Sequence, residues 1–167
     1  MLVAILTVVV MLVGAAVVIA LPILLVMRFE AGRMMRGMLA VRDALGSGKV
    51  ETWKYASWRL PLLDAEIDGV SLRVAVEPGS ESFRLDAGHG AWMNARPLLA
   101  HIVVRVPASR RSKVERALAA EPAGPLRLVA GSIEAWLDPP KGNKSRQRLI
   151  DAVRAAIRIA RADAPSA

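Results

Sequence analysis

Residues 21–38 read LPILLVMRFEAGRMMRGM, and the chain changes character in the middle of this stretch, at Arg28. Residues 1–27 contain no charged side chain and no histidine, whereas arginine recurs every few residues from Arg28 onward. A helix needs about 20 apolar residues to cross the hydrocarbon core of a bilayer. A signal peptide would show a basic start and a shorter apolar core. Residues 1–27 are therefore predicted to be a retained transmembrane anchor.

The basic residues predict the orientation of this anchor. Arg28, Arg33, Arg36 and Arg42 follow the span, and no basic side chain precedes it. The positive-inside rule then places residues 28–167 in the cytoplasm and Met1 outside. We expect a single-pass protein of the cell inner (plasma) membrane.

The apolar span is predicted to pack on other membrane helices and not to conduct ions or protons. It contains no ionisable residue, so it provides no proton relay or ion pathway. Small residues let membrane helices approach closely, and a proline late in a span is tolerated in lipid. The alternative is that small residues simply occur in such spans. The candidate positions for packing on other helices are Gly14, Ala15, Ala16, Ala20 and Pro22.

Residues 28–48 are predicted to form a basic amphipathic juxtamembrane helix. Met34, Met38, Val41 and Leu45 recur at helical spacing and make one apolar stripe, and Gly46 supplies a stop signal. This stripe has two interpretations. It is either an interface for a partner protein or the face by which a stalk helix packs on its own domain.

Residues 49–163 are predicted to form a small α+β domain, followed by a disordered tail at 164–167. Period-two alternation and turn signals predict strands, and period-3.6 patterns predict helices. Strands joined by hairpins favour an antiparallel sheet with helices packed on one side. The predicted strands are 70–76, 82–86, 101–106, 126–130 and 133–137, and the predicted helices are 109–120 and 144–162.

The net charge of +8 is unevenly distributed. Residues 141–161 carry seven basic side chains and one acidic, and 51–90 carry four basic and seven acidic. Basic residues beside a membrane attract anionic lipid headgroups. Other interpretations are a solvated helix face, an acidic partner or nucleic acid, and nucleic acid is disfavoured because no recognition motif accompanies the charge. The candidate contacts with lipid or an acidic partner are Arg28, Arg33, Arg36, Arg154, Arg158 and Arg161.

Residue types that carry chemistry are sparse. The chain has no cysteine and two histidines, so thiol chemistry and thiolate metal sites are excluded. His89, between two glycines, is a candidate general base or metal ligand only if a distant carboxylate joins it. Asp64, Glu66 and Asp68 form a carboxylate row that could bind a cation if the three share one face of a strand. The favoured interpretation is the solvated face of an edge strand that leads into the Asp68–Gly69 turn. No cofactor, metal site or phosphate loop is expected.

The aromatic residues Trp53, Tyr55 and Trp58 follow the juxtamembrane helix closely. They fit anchors at headgroup level, the core of the domain or an interface with another subunit. Together with Met34, Met38 and Val41 they form the predicted partner interface. Trp92 and Trp136 are predicted core residues.

These patterns favour a non-catalytic membrane protein, an accessory, assembly or scaffolding subunit of a larger complex. Its expected partners are anionic lipid headgroups and other membrane protein subunits. One alternative is a surface module that binds or senses anionic lipid. A second is a membrane-anchored enzyme that uses His89 and a carboxylate.

Overall fold

The computed structural model describes residues 2–55, 58–79, 97–120 and 124–161. These residues contain three α-helices and six strands. In chain order they are α1 (Leu2–Leu45), β1 (Lys49–Tyr55), β2 (Trp58–Ile67), β3 (Val70–Pro78), β4 (Leu98–Arg105), α2 (Arg111–Ala120), β5 (Arg127–Val129), β6 (Ser132–Leu137) and α3 (Asn143–Arg161). A short 3-10 helix, Ala108–Arg110, leads into α2.

The first helix, α1, is one uninterrupted element of 44 residues. The predicted anchor and the predicted juxtamembrane helix are therefore two halves of the same helix, which continues through Pro22. It ends at Leu45, as predicted. Gly46 follows with φ +72°, and its N–H donates to the carbonyl of Arg42 at 2.9 Å. Glycine adopts this left-handed conformation without the steric cost that a side chain would add.

The two halves of α1 have opposite surroundings. Large apolar side chains from Val9 to Val26 are 49–71% exposed, whereas Met34, Met38 and Val41 are fully buried. The helix from Val9 onward is long and apolar enough to cross a membrane, with a mean hydropathy of 3.0 in its most apolar window and none of that window buried. The structure thus contains a candidate N-terminal membrane helix whose second half belongs to the folded domain.

The six strands form one antiparallel sheet in the order β1-β2-β3-β4-β6-β5. This confirms the predicted α+β class. The β2–β3 hairpin turns at Asp68 and Gly69, where both residues have positive φ, as the predicted turn requires. The β5–β6 hairpin turns at Ala130 and Gly131, one residue earlier than predicted.

The sequence does not predict β1, and it predicts β2 only at its end, through the carboxylate row Asp64, Glu66 and Asp68. β1 is a polar edge strand, and β2 carries Pro61 and has apolar residues on both faces, so neither shows a clean alternation. β2 lies between β1 and β3, and the interpretation of Asp64 and Glu66 as part of an edge strand is therefore wrong. The predicted strand at 82–86, His89, Trp92 and the predicted tail at 164–167 lie outside the described residues.

The hydrophobic core lies between one face of the sheet and the three helices. Rows of paired residues, such as Val74, Ile102 and Ala135 on neighbouring strands, are buried on this face. The apolar face predicted for the last helix is buried in α3. Because Met34, Met38 and Val41 of α1 belong to the same core, the predicted boundary between residues 48 and 49 does not separate two units.

Candidate functional site

The face of the sheet opposite the helices is open among the described residues. Strand side chains alternate, so the residues between the buried positions all point to this second face. They surround a shallow, open cavity of about 620 Å³. Its lining is Trp53, Leu62, Asp64, Ser71, Arg73, Ala75, Glu77, His101, Val103 and Arg105.

His101 lies near the centre of this face, between two carboxylates on neighbouring strands. Its Nδ1 pairs with Glu77 of β3, and its Nε2 lies 3.3 Å from Glu134 of β6. The ring stacks on Trp136 with centroids 3.9 Å apart and planes 7° from parallel. Only 16% of the His101 side chain is exposed. Trp136, predicted to be a core residue, instead forms one wall of this arrangement.

The surroundings of His101 favour its charged form. Burial lowers the pKa of a histidine, but the hydrogen bonds and negative charges of Glu77 and Glu134 outweigh it, so the pKa of His101 is raised. Both ring nitrogens then donate to carboxylates. In its charged form His101 joins β3, β4 and β6 through these contacts, and neither ring nitrogen is then free to accept a proton.

The same face carries a second pair and an unpaired charge. Arg73 of β3 holds both carboxylate oxygens of Asp64 on β2, at 2.8 and 3.3 Å. Arg105, at the end of β4, is exposed and has no ion pair within the described part of the chain. The described part of the open face therefore presents charges of both signs, with the exposed guanidinium of Arg105 at its edge.

Trp53 closes the end of the cavity and completes a hydrogen bond that the sheet lacks. The β2–β3 pairing stops at Leu62 and Ala75, and one step further would place Pro61 opposite Val76. Proline has no N–H to donate. The indole Nε1–H of Trp53 donates to the Val76 carbonyl at 3.1 Å instead.

The three aromatic residues predicted as an interface meet at one end of the β1–β2 hairpin. The rings of Trp53 and Tyr55 are 5.8 Å apart, and Tyr55 pairs across the strands with Trp58. Trp53 and Trp58 pack partly against the core, whereas Tyr55 is 41% exposed. The structure thus brings the cluster together, with one ring on the surface.

Met34, Met38 and Val41 are fully buried and do not form a surface. They pack on the sheet and on α3 within the same chain, which is the alternative interpretation of the apolar stripe. A helix that lies on a sheet must bury its apolar stripe there, and that burial leaves these side chains unavailable to a partner. These three side chains are core residues, and the prediction that they form a partner interface is wrong.

The predicted basic stripe on the last helix makes contacts within the chain. Arg154 donates to the carbonyl of Ala44 at 3.1 Å, and Arg161 lies 2.5 Å from Asp68 in the β2–β3 turn. Arg158 also has an interaction partner. Arg154 thus joins α3 to the C-terminal end of α1, and Arg161 joins it to the β2–β3 turn.

The remaining predicted positions lie on α1. Gly14 has open space around it, and Ala15, Ala16, Ala20 and Pro22 are exposed on the apolar half of the helix. Arg33 contacts Glu30 and the carbonyl of Lys141, each at 3.4 Å. Arg28 and Arg36 are exposed.

The centre around His101 was missed by sequence reasoning. Glu77, His101 and Glu134 lie 24 and 33 residues apart, and only the strand register brings them together. Alternation within each strand predicts which face of the sheet a side chain lies on, but it does not predict which strands are neighbours. Among the residues that the structure describes, no group of three or more histidine, aspartate or glutamate side chains is arranged to hold a metal ion.

Comparison with known proteins provides no relative from which to assign a function. No protein-family model, no curated protein and no solved structure matches the chain.

Proposed function

We propose that this chain is a non-catalytic, single-pass membrane protein that binds a partner protein on the open face of its sheet, as an accessory or assembly subunit of a membrane complex. The observation that supports this most is the continuity of α1. Its first half is an exposed apolar helix, and its second half is part of the core. A helix that enters the core so directly holds the open face at a fixed height and angle above a bilayer.

The ion pairs on the open face support the binding of a partner protein there. Its ion pairs are already formed between neighbouring strands, so a partner meets a preorganised pattern of charge. The His101 ring has a carboxylate at each nitrogen, which supports a structural role for it. We place the anchor in the inner (plasma) membrane, with Met1 outside and the domain in the cytoplasm, because the basic residues follow the span.

The test combines particle size with a charge reversal. The native membrane is extracted with a gentle detergent, and the migration of the chain is compared with that of a 17.9 kDa monomer. We expect it to migrate in a larger complex. Arg105→Glu is expected to dissociate this complex, because Arg105 is exposed at the edge of the open face and reversing its charge breaks no ion pair among the described residues.

Lys113→Glu is the matched control. Lys113 is exposed on α2, away from the open face, so this variant is expected to migrate like the wild type. Migration of the wild-type chain as a lone monomer would contradict the proposal. Equal dissociation by both variants would place the interface elsewhere.

A further inference from the structure

The helices α1 and α3 lie side by side and run in the same direction. Near the start of α3, Lys141 Nζ lies 2.6 Å from Glu30, and the backbone of Pro140 touches Gly37 so closely that a Cβ there would lie 1.6 Å from the carbonyl oxygen. Further along, Arg154 contacts Ala44. The start of α3 is therefore at the end of the domain that adjoins the apolar half of α1, and its C-terminal part is at the opposite end.

Helix geometry gives the height of each group above the span. A helix rises about 1.5 Å per residue, so Ala44 lies about 25 Å beyond Met27 along α1. The polar headgroup layer is about 5–8 Å thick on each side of the bilayer, and charges in physiological salt are screened over about 8 Å. Arg154, Arg158 and Arg161 are thus too far from the span to contact headgroups. Glu30 and Arg33 lie within about 10 Å of Met27.

The end of the domain nearest the span is surrounded by cations. We call Arg28, Arg33, Arg36, Lys141 and Lys144 the basic collar. Glu30 is the acidic residue that pairs with it, through Lys141 and Arg33. The hydrogen bond from Lys141 is the main reason that the pKa of Glu30 is lowered. Arg28, Arg36 and Lys144 are exposed and have no ion pair among the residues that the structure describes.

The aromatic end of the β1–β2 hairpin lies at the same level. β1 begins four residues after the end of α1 and runs back along the domain, so Tyr55 lies six strand steps, about 20 Å, from Lys49. About 13 helical residues cover that distance, which puts Tyr55 at roughly the level of residue 32 of α1. Exposed tyrosine and tryptophan side chains accumulate where a membrane meets water.

We propose that the basic collar binds the phosphate headgroups of anionic phospholipids and so holds this end of the domain on the membrane surface. The collar places five cations beside Glu30, and Asp138, three residues before Lys141, lies at the same end, whereas Arg161 at the far end is paired with Asp68. The lipid contact is therefore made by Arg28, Arg36 and Lys144 with the start of α3, and not by the stripe on α3. The inference rests on α1 spanning the membrane.

The test uses the full chain in nanodiscs of phosphatidylcholine that contain a minor fraction of phosphatidylglycerol. The lipids retained by the protein are counted by native mass spectrometry after release. We expect the wild type to retain phosphatidylglycerol above its share in the disc. The variant Arg36→Gln/Lys144→Gln is expected to lower this preference about five-fold for each charge removed, because each cation at an anionic surface contributes about 1 kcal/mol.

The matched control is Arg110→Gln/Lys113→Gln. Both residues are exposed, lack an ion pair within the described ranges and follow the end of β4, at the far end of the domain. The control is expected to retain phosphatidylglycerol like the wild type. The proposal is overturned if the collar variant keeps the wild-type preference, or if the control loses as much.

Two further arms identify the ligand and separate this inference from the proposed function. Inorganic phosphate at a concentration equal to the accessible lipid phosphate is expected to leave the preference unchanged, and full displacement would make the collar a site for free phosphate. Resistance to extraction by alkaline carbonate reports whether α1 spans the bilayer. A resistant chain without a lipid preference overturns the collar alone, and an extractable chain overturns the anchor as well.

Discussion

His101 gives the domain a stability that depends on pH. Its folded pKa is raised above the ordinary value of 6.5, so its ion pairs with Glu77 and Glu134 contribute fully below that value. The contribution is lost as pH rises through the folded pKa, because a neutral ring no longer donates to both carboxylates. The ion pairs around His101 therefore contribute most to stability under mildly acidic conditions.

We predict that His101→Gln lowers the free energy of unfolding by about 1.5 kcal/mol at pH 6, the lower range for hydrogen bonds to charged groups, since these side chains are partly exposed. The difference from the wild type should shrink as pH rises past the folded pKa. This stability difference is measured by thermal unfolding of the wild type and the His101→Gln variant in the same nanodiscs, from pH 5.5 to 8.5. His89 is present in both proteins and cancels in the comparison. A difference that stays constant with pH would show that His101 acts through packing alone.

Trp53 and Pro61 form a compensating pair, because the indole N–H supplies the donor that a proline cannot. We predict that Trp53→Phe destabilises the domain by about 1–3 kcal/mol, the cost of leaving a buried carbonyl unpaired. Adding Pro61→Val to that variant should recover part of the loss, since residue 61 would then offer an N–H to Val76. Chemical denaturation of the single and double variants measures the coupling. Strictly additive effects would contradict the pairing.

At the level of whole elements, the two halves of α1 differ in burial. The apolar stripe at Met34, Met38 and Val41 is covered by the sheet and α3, while the first half of the helix leaves its apolar side chains exposed. No linker separates these two halves, because α1 is one continuous helix.

The two halves should respond differently to the same substitution. We predict that Met38→Ala lowers the free energy of unfolding of the domain by about 2–5 kcal/mol, because it leaves a cavity in the core. Met11→Ala, at a side chain that is 70% exposed, should leave it unchanged. Denaturation followed by tryptophan fluorescence compares the two variants. Equal effects would mean that the second half of α1 does not form part of the core.

For the molecule as a whole, the charge asymmetry along the axis of α1 is the main organising feature. Among the described residues, cations without an ion pair lie next to the apolar half of α1, whereas Arg154 and Arg161 at the far end make contacts within the chain. This asymmetry is the basis of the predicted orientation and of the proposed lipid contact.

The absence of cysteine makes the orientation testable without background labelling. We predict that Ser71→Cys, at an exposed position on β3, reacts with a membrane-impermeant maleimide only after the cells are opened. A cysteine in a tag placed before Met1 should react in intact cells. The reverse pattern would show that the domain is outside and that the arginines after the span do not control insertion.

Local patterns in the sequence were sufficient for the features that depend on neighbours in the chain. The apolar run of the anchor, the helix end at Gly46, the Asp68–Gly69 turn and the buried face of α3 each follow from residues a few positions apart. Helix periodicity and the conformational preference of glycine act over one or two turns, so these features are visible without a fold. The α+β class follows from their order along the chain.

The tertiary structure was needed wherever distant segments meet. The sheet order places β6 beside β4, and that register joins Glu77, His101 and Glu134 into one centre. Packing likewise determined that the methionine stripe of α1 is buried in its own domain, and that Arg154 lies far from the span while Lys144 lies near it. Strand pairing and helix docking are set by the sum of many weak contacts between remote residues, which no local periodicity records.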